Sequence, residues 1–272
     1  MTDLDAAQIG ARLDEFGVTI GRPVVVKSVT ESTNDDARQA AANGALHGAI
    51  FLADAQTRGR GRSGHSWHSP PGENLYLSIL LRPNLSPLAL PPLTLVIGVC
   101  VARLVDEALG LEGQARLKWP NDVYVGEDKL AGILVESSLR GGNVAAVIVG
   151  IGVNVHTQVF PSELRATSLR LLGAKVLDRS KLVVHLLGEI EKATRLFEHQ
   201  RLEPFHAELE RRDMLRGRWV EISGVTGVAS GVDAEGFLCV TCGDGSTQRF
   251  GSGSVIFRPI PSCPTSSSGA AE

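Results

Sequence analysis

The sequence predicts an α+β fold built on a mixed, largely antiparallel sheet. Apolar, strand-like segments follow one another more often than they alternate with helices, which disfavours a doubly wound parallel sheet. From residue 218 to residue 257, short apolar stretches alternate with turns of the Gly-Asp-Gly type, which indicates a small all-β module. We therefore predict a large domain over residues 1–214 and a β module over 215–260. The tail 261–272 is small, polar and proline-bearing, a composition typical of disorder.

The individual elements follow from periodicity and from residues that start or stop them. We predict a helix over 3–16, ended by Gly17, and then a valine-rich strand over 22–29. The side chain of Ser32 or Thr33 caps a helix that runs to residue 42. Further strands are predicted over 49–55, 73–83, the start of 115–122, 129–137 and 143–156, and further helices over 91–110, 180–199 and 203–213.

Charge and composition exclude several classes of protein. The 272 residues carry a formal net charge of -3, so no global basic field draws the chain onto nucleic acid or an anionic membrane. The N-terminus has acidic residues where a signal peptide has basic ones, and the apolar stretch 93–102 is too short to span a bilayer. Cys239 and Cys242 form a lone C-x-x-C that is more typical of a strand than of a metal site. We expect a cytoplasmic protein with no metal site of its own, no membrane contact and no specific DNA binding.

The loop 56–67, QTRGRGRSGHSW, is the first candidate for a binding site. Its arginines Arg58, Arg60 and Arg62 alternate with glycines. Glycine allows unusual backbone angles and close approach to a ligand, and guanidinium groups suit phosphate and carboxylate oxygens. The pattern predicts a mobile loop that closes over an anionic ligand. The alternative is a solvated RNA-binding segment, which the acidic net charge disfavours. The spacing of a phosphate-binding P-loop is absent.

Four further segments carry polar residues at the ends of predicted elements. Lys118–Asp122 packs two charges, an amide and a proline turn together, and the residues alone leave a surface turn and a site equally open. Lys129 opens an apolar strand in which Gly132 indicates close approach of a ligand. Gly150–Asn154 lacks the third glycine and the following helix of a dinucleotide site. Ser32–Asn34 offers more polar groups than a helix cap requires.

In this order and spacing, the segments ESTN, GRGRSG, KWPND, KLAGILVE and GIGVN resemble the biotin–protein ligase family, over about residues 29–168. The resemblance implies a catalytic domain related to class II aminoacyl-tRNA synthetases and a small C-terminal barrel of the Src-homology-3 type. It also implies an activity: biotin and ATP form biotinyl-AMP and pyrophosphate, with Mg²⁺ on the phosphates. Biotin then passes to a lysine of a biotin carboxyl carrier protein. The sequence leaves open whether the protein forms a homodimer.

The resemblance also assigns residues, position by position. Its catalytic set is Arg60, Lys118, Asp122 and Lys129. Its biotin-binding set is Ser32, Thr33, Asn34, Gln56, Arg60, Gly61, Arg62, Lys129 and Gly132. Its ATP-binding set is Arg60, Arg62, Trp67, Lys118, Asn121, Asp122, Asn154 and Arg258.

The chain departs from the family pattern in two places. Relatives often carry more basic residues after GRGR, where this chain has Ser63, His65 and Ser66. About thirty residues precede the ESTN segment, which is short for the winged helix-turn-helix of bacterial repressor ligases, so we expect a form without that half.

Three other functions are compatible with parts of the sequence. A lipoate–protein ligase or octanoyltransferase would share the fold but lack the GRGR loop and KWPND. A nucleic-acid-binding regulator would need a more basic surface. A degenerate relative that binds biotin without ligating it would not be expected to keep Arg60, Lys118 and Lys129. No signature of a covalent Ser or Cys nucleophile is present, which agrees with a reaction that needs none.

Overall fold

A seven-stranded mixed sheet forms the centre of the molecule in this computed structural model, which describes residues 3–258. The strand order across it is β1-β2-β3-β7-β6-β5-β4, and only β1 and β2 run parallel. The predicted α+β class with a largely antiparallel sheet is confirmed. The predicted tail, 261–272, lies outside the described residues. The strands are β1 (Val24–Thr30), β2 (Ile50–Gln56), β3 (Leu75–Leu81), β4 (Ala115–Lys118), β5 (Asp122–Val125), β6 (Asp128–Arg140) and β7 (Asn143–Val153).

Five α-helices cover the two faces of this sheet. They are α1 (Ala6–Glu15), α2 (Thr33–Ala42), α3 (Leu93–Leu109), α4 (Arg179–Gln200) and α5 (His206–Arg212). Side chains alternate along the strands, so that Leu75, Leu77 and Ile79 of β3 face the main core with α3 and α4. On the other face, Leu80 and Ile148 pack under α2 in a second, small apolar cluster. Because α2 covers only one end of that face, the other end stays open.

Helix α3 forms the centre of the main core. The segment Pro87–Leu109 has 23 residues and, by length and composition, is long and apolar enough to cross a membrane. It is the one such segment within residues 3–258. The expectation that this stretch is too short to span a bilayer was therefore wrong in length. However, 72% of its apolar window is buried inside the protein, as in the core helix of a globular domain.

A second sheet of five antiparallel strands follows the helices. Its order is β11-β10-β9-β8-β12. The strands are β8 (Trp219–Ile222), β9 (Val225–Val232), β10 (Leu238–Cys242), β11 (Thr247–Phe250) and β12 (Ile256–Phe257). The main core continues into this sheet through Val220, Ala229 and Leu238. The proposed boundary at residue 214 therefore separates two units that share one apolar core.

Strand β5 was not predicted. It follows the Pro120 turn, and its four residues are too few for an alternating pattern to stand out. It forms because its backbone pairs with both β4 and β6. Its presence matters for the site, since it places Asp122 directly beside Gly132 of β6.

Candidate active site

A cavity of about 260 Å³ opens on the uncovered end of the large sheet, beside the N-terminus of α2. Three glycines of β6 and β7 form its floor. A Cβ atom at Gly150 would lie 2.1 Å from Asn34 Oδ1, and one at Gly152 would lie 2.5 Å from Trp67 Cε2. A Cβ at Gly132 would lie 3.0 Å from the same indole ring. The strands need glycine here because a helix side chain and a loop side chain lie directly on the backbone.

The Ser32–Asn34 segment begins α2 at the cavity wall. Ser32 occupies the cap position, as predicted, but its side chain makes no capping hydrogen bond. Instead, Gln56 at the end of β2 accepts a hydrogen bond from the Thr33 backbone N–H at 2.9 Å through Oε1. A residue 23 positions away therefore satisfies the helix start.

Asn34 is buried, and both ends of its amide have partners. Its Oδ1 accepts a hydrogen bond from the Ser78 hydroxyl at 2.6 Å, and its Nδ2 donates to Glu136 Oε2 at 2.7 Å. This arrangement fixes the orientation of the amide over Gly150. Asn34 therefore shapes the cavity wall from a fixed position.

The GRGR loop folds over the mouth of the cavity. Arg60 pairs with Ser66 across it, and the Trp67 N–H donates to the Gly59 carbonyl at 2.9 Å. A Cβ at Gly59 would lie 2.7 Å from the Trp67 carbonyl oxygen, so glycine is required at that point. Ser63, at φ 53°, takes a left-handed conformation unusual for a residue with a side chain. The loop thus has a defined fold that brings Trp67 onto the glycine floor.

The loop arginines point to different partners. Arg60 Nη2 lies 2.9 Å from Asp35 Oδ1 and 3.1 Å from Glu136 Oε2. Arg62 Nη1 donates to Asn121 Oδ1 at 3.3 Å, and burial lowers the pKa of Arg62 while nearby Asp122 opposes that shift. Arg62 therefore links the loop to the KWPND turn, whereas Arg60 links it to α2 and β6.

Lysines approach the cavity from its opposite side. Lys129 Nζ lies 2.7 Å from Asp122 Oδ1 and 5.4 Å from the centre of a Trp67 ring. Burial lowers the pKa of Lys118; Asp122 opposes this shift and Lys129 adds to it. Lys118 Nζ also lies 5.0 Å from the Phe257 ring centre.

The charged side chains that line the cavity are mostly positive, although Arg60 also pairs with Asp35 and Glu136 outside the lining. The ionised side chains that line it are one carboxylate, Asp122, and the four cations Arg60, Arg62, Lys118 and Lys129. Positive groups gathered in a cleft raise the local concentration of anions and stabilise negative charge that develops there. The arrangement suits a reaction between two anionic groups.

All the residues of the three predicted sets line this cavity except two. Asn154 is buried below the site, where its Nδ2 donates to the Thr167 carbonyl at 3.0 Å and holds the end of β7. Arg258 lies on the second sheet and donates to Glu221 Oε2 at 2.7 Å. The structure does not bring these two side chains to the cavity.

The sequence interpretation missed several lining residues. Gly253, Ser254 and Val255 reach the cavity from the second sheet, and no local pattern in that segment indicates a site. Tyr76 also lines it, with its hydroxyl donating to the Pro70 carbonyl at 2.9 Å. The spacing of Gly150 two residues before Gly152 was a usable signal, because residues two apart share one face of a strand.

Two family models match the chain. The model described as the biotin/lipoate A/B protein ligase family matches residues 26–154. The model described as the biotin protein ligase C terminal domain matches residues 223–258. The first range contains the glycine floor and the loop, and the second contains the segment 253–255 that reaches the cavity.

Individual relatives agree with these matches. The bifunctional ligase/repressor BirA of Escherichia coli (strain K12) is 34% identical over 261 residues, which cover 94% of this chain and 78% of that one. The biotin–[acetyl-CoA-carboxylase] ligase of Mycobacterium tuberculosis is 33% identical over 244 residues, 86% of this chain and 89% of that one. Among solved structures, the biotin protein ligase from Aquifex aeolicus in complex with biotin and ATP superposes with a TM-score of 0.73 at 31% identity, covering 87% of this chain and 98% of that one.

Proposed function

The chain belongs to the biotin/lipoate A/B protein ligase family, and on this basis we propose that it is an ATP-dependent biotin–protein ligase. It activates biotin as biotinyl-AMP with release of pyrophosphate and transfers the biotinyl group to a carrier lysine. The observation that carries the proposal is the glycine-floored cavity in which four cations surround a single carboxylate.

The two chemical steps explain this excess of positive charge. In the first step, a biotin carboxylate oxygen attacks the α-phosphorus of ATP, and the bond to pyrophosphate breaks. In the second step, the carrier amine attacks the carbonyl of the mixed anhydride, loses a proton, and AMP leaves. Carboxylate and triphosphate repel each other, so the first step needs cations that offset the repulsion and stabilise charge on the phosphoryl oxygens. Neither step needs a nucleophile from the enzyme.

The residue roles are part of the proposal. Lys129, already paired with Asp122, lies close to the glycine floor and would neutralise the biotin carboxylate. Arg62 and Lys118, at the KWPND side, would contact the phosphates. Trp67, whose indole rests on Gly132 and Gly152, would separate the biotin and nucleotide regions.

The loop is proposed as the cover of the intermediate. A mixed anhydride hydrolyses if water reaches it, so the site must close after activation. Glycine-rich segments lose much entropy when they order, and an anionic ligand that contacts the arginines would offset that cost. The folded conformation of residues 59–67 supports this role.

Magnesium would accompany the nucleotide. It usually keeps several waters and binds through one or two carboxylates together with substrate phosphates. Asp122 is the carboxylate that lines the cavity, and it would hold the ion or its water. Its chemical contribution would be to neutralise phosphate charge.

The partner is proposed to be the biotin carboxyl carrier domain of a carboxylase, as the name of the Mycobacterium tuberculosis relative suggests. A cytoplasmic location and the lack of operator binding are proposed on the acidic net charge of -3. The name of the Escherichia coli relative includes repressor activity, so DNA binding is a distinction that experiment must make.

The function is tested by incubating the protein with ATP, Mg²⁺, biotin and a carrier domain, and measuring the intact mass of the carrier. We expect one biotin per carrier and none on a carrier whose target lysine is arginine. Lipoate and octanoate should not substitute. Equal transfer of lipoate would overturn the choice of substrate, and no transfer of any acid would overturn the ligase function.

A further inference from the structure

Glu136 lies on the cavity face of β6 but does not line the cavity. It stands two positions beyond Leu134, which does line it, and it pairs with Ile148 in the row covered by α2. Its side chain is 27% exposed. Glu136 is the last residue of the KLAGILVE segment, but none of the residue sets that the resemblance implies includes it.

The Glu136 carboxylate joins three groups from two separate elements. Its Oε2 accepts hydrogen bonds from Asn34 Nδ2 at 2.7 Å and from Arg60 Nη2 at 3.1 Å. Its Oε1 accepts one from Arg38 Nη2 at 2.8 Å. Asn34 belongs to the fixed wall of the cavity, and Arg60 belongs to the loop over its mouth. One carboxylate therefore holds the wall and the loop together.

Asp35 holds only the loop side of this arrangement. Its Oδ1 lies 2.9 Å from Arg60 Nη2, and it also pairs with Arg38, but it makes no hydrogen bond to Asn34 among residues 3–258. The four charged groups, two carboxylates and two guanidiniums, balance each other. Among residues 3–258, Glu136 thus contacts both Asn34 of the wall and Arg60 of the loop, whereas Asp35 contacts Arg60 and Arg38 but not Asn34.

We propose that Glu136 is a positioning residue that couples the biotin pocket to the loop. It fixes the Asn34 amide in the wall and, through Arg60, holds the loop in the conformation that covers the intermediate. This inference rests on the proposed ligase function, and it adds a residue that acts without touching the substrate.

The physical argument is one of entropy and charge. The segment 59–64 contains three glycines, so an ordered loop needs an anchor to offset the loss of backbone freedom. A charge-assisted hydrogen bond that is partly shielded from water is such an anchor. Because Asn34 uses the same carboxylate oxygen as Arg60, a disturbance of the wall reaches the loop without passing through the ligand.

Two variants distinguish the contact of Glu136 with Asn34 in the wall from the hold on Arg60 in the loop. Glu136→Gln removes the negative charge. Three groups donate to the two oxygens of the Glu136 carboxylate, whereas the glutamine amide offers them a single oxygen. Asp35→Asn weakens the hold on Arg60 and on Arg38 but leaves the hydrogen bond between Asn34 and Glu136 in place. The matched control is Glu235→Gln, which breaks an exposed ion pair with Arg249 on the second sheet, 2.7 Å long, between two residues that do not line the cavity.

The first measurement is hydrogen exchange of the ligand-free protein. We expect Glu136→Gln to increase exchange in both the loop 58–66 and the start of α2, and Asp35→Asn, which keeps the hydrogen bond between Asn34 and Glu136, to increase it mainly in the loop. The second measurement is the release rate of biotinyl-AMP. We expect about a tenfold faster release in Glu136→Gln, with a raised KM for biotin and a kcat for the carrier within about twofold of wild type. Glu136→Asp, which keeps the charge, should recover part of the retention.

The proposal is overturned if Glu136→Gln keeps wild-type loop protection and retains the intermediate as long as wild type. It is also overturned if kcat and KM change together in Glu136→Gln and Asp35→Asn leaves the loop unaffected, since that pattern indicates a general structural role. If wild type forms no biotinyl-AMP, the ligase function fails. The exchange measurement on ligand-free protein still decides the coupling in that case.

Discussion

Lys118 is a cavity residue whose ionisation depends on its surroundings. Burial disfavours its charged form, and the positive charge of Lys129 acts in the same direction, so its pKa is lowered despite Asp122. Burial of the charged amine therefore costs free energy in the protein alone. Phosphate oxygens beside the amine would favour the charged form and recover that cost, which makes the site more complementary to a bound nucleotide than to water.

The lowered pKa of Lys118 gives the stability of the protein a defined pH dependence. In the window between that pKa and the ordinary value of about 10.5, the unfolded chain binds more protons at this residue than the folded chain does, so the free energy of unfolding rises with pH. Lys118→Arg stays charged throughout and lacks this contribution. We expect wild type to gain stability relative to Lys118→Arg as pH rises through the window, measured by urea unfolding at several pH values.

Lys192→Arg on α4 is the control for that comparison, because its lysine is 78% exposed. Its stability difference from wild type should not change with pH. A difference between wild type and Lys118→Arg that is equally flat would mean that the amine is better solvated than the structure indicates.

At the scale of elements, the glycine floor connects two strands, a helix and a loop. Gly150 admits Asn34 of α2, whereas Gly132 and Gly152 admit Trp67 of the loop. The three residues lie on adjacent strands in register, with Gly132 opposite Gly152 and Gly150 opposite Leu134. Any side chain at these points lifts the covering elements away from the sheet.

Gly152→Ala tests this arrangement. Its Cβ would lie 2.5 to 2.8 Å from atoms of the Trp67 indole, so the ring must move. We expect at least a tenfold loss of biotin affinity and a changed tryptophan emission spectrum, with little loss of thermal stability since the loop can rise. Titration calorimetry and fluorescence measure these effects.

The matched control is Gly10→Ala within α1, where an added Cβ meets no heavy atom within 4 Å. That change should stabilise the protein by about 0.5–1 kcal/mol, because alanine favours a helix interior. Unchanged biotin affinity in Gly152→Ala would show that the indole does not need to rest on the floor.

The elements also show where sequence interpretation succeeds and where it stops. Strands such as β3 and β7 are long and apolar, so their identity follows from local composition. The cap position of α2, Ser32, was predicted, but the acceptor of its first N–H group was not, because that acceptor, Gln56, comes from a strand. Strand β5 was missed because its stability comes from its neighbours on both sides. Local patterns identify an element more readily than they identify its partners.

At the scale of the whole molecule, the cavity depends on contacts between the two sheets. The Trp119 indole N–H, at the KWPND turn, donates to the Gly236 carbonyl of the second sheet at 3.1 Å. The side chain is 3% exposed. Gly253, Ser254 and Val255 then complete the wall. Motifs in the sequence could place Lys118 and Lys129 in one site, but the approach of residues 253–255 depends on how the sheets pack and has no local signal.

Trp119→Phe removes this hydrogen bond and keeps an aromatic ring. The unpaired Gly236 carbonyl should lower the free energy of unfolding by about 1 kcal/mol. We also expect weaker nucleotide binding, because the wall from the second sheet loses an anchor. Trp219→Phe is the control, since it makes the same change of ring at a half-buried position of β8. Equal effects of the two changes would indicate that ring size, and not the hydrogen bond, joins the sheets.

The apolar length of helix α3 affects how readily the protein refolds after it has unfolded. While the domain is folded, its apolar surface lies against the sheet and α4. Whenever the domain opens, residues 87–109 present a segment that matches the thickness of a bilayer. Such a segment attracts chaperones, other unfolded chains and lipid, all of which compete with refolding. Heat inactivation should therefore be irreversible, and the working lifetime of the protein is set by how slowly it unfolds and not by its equilibrium stability.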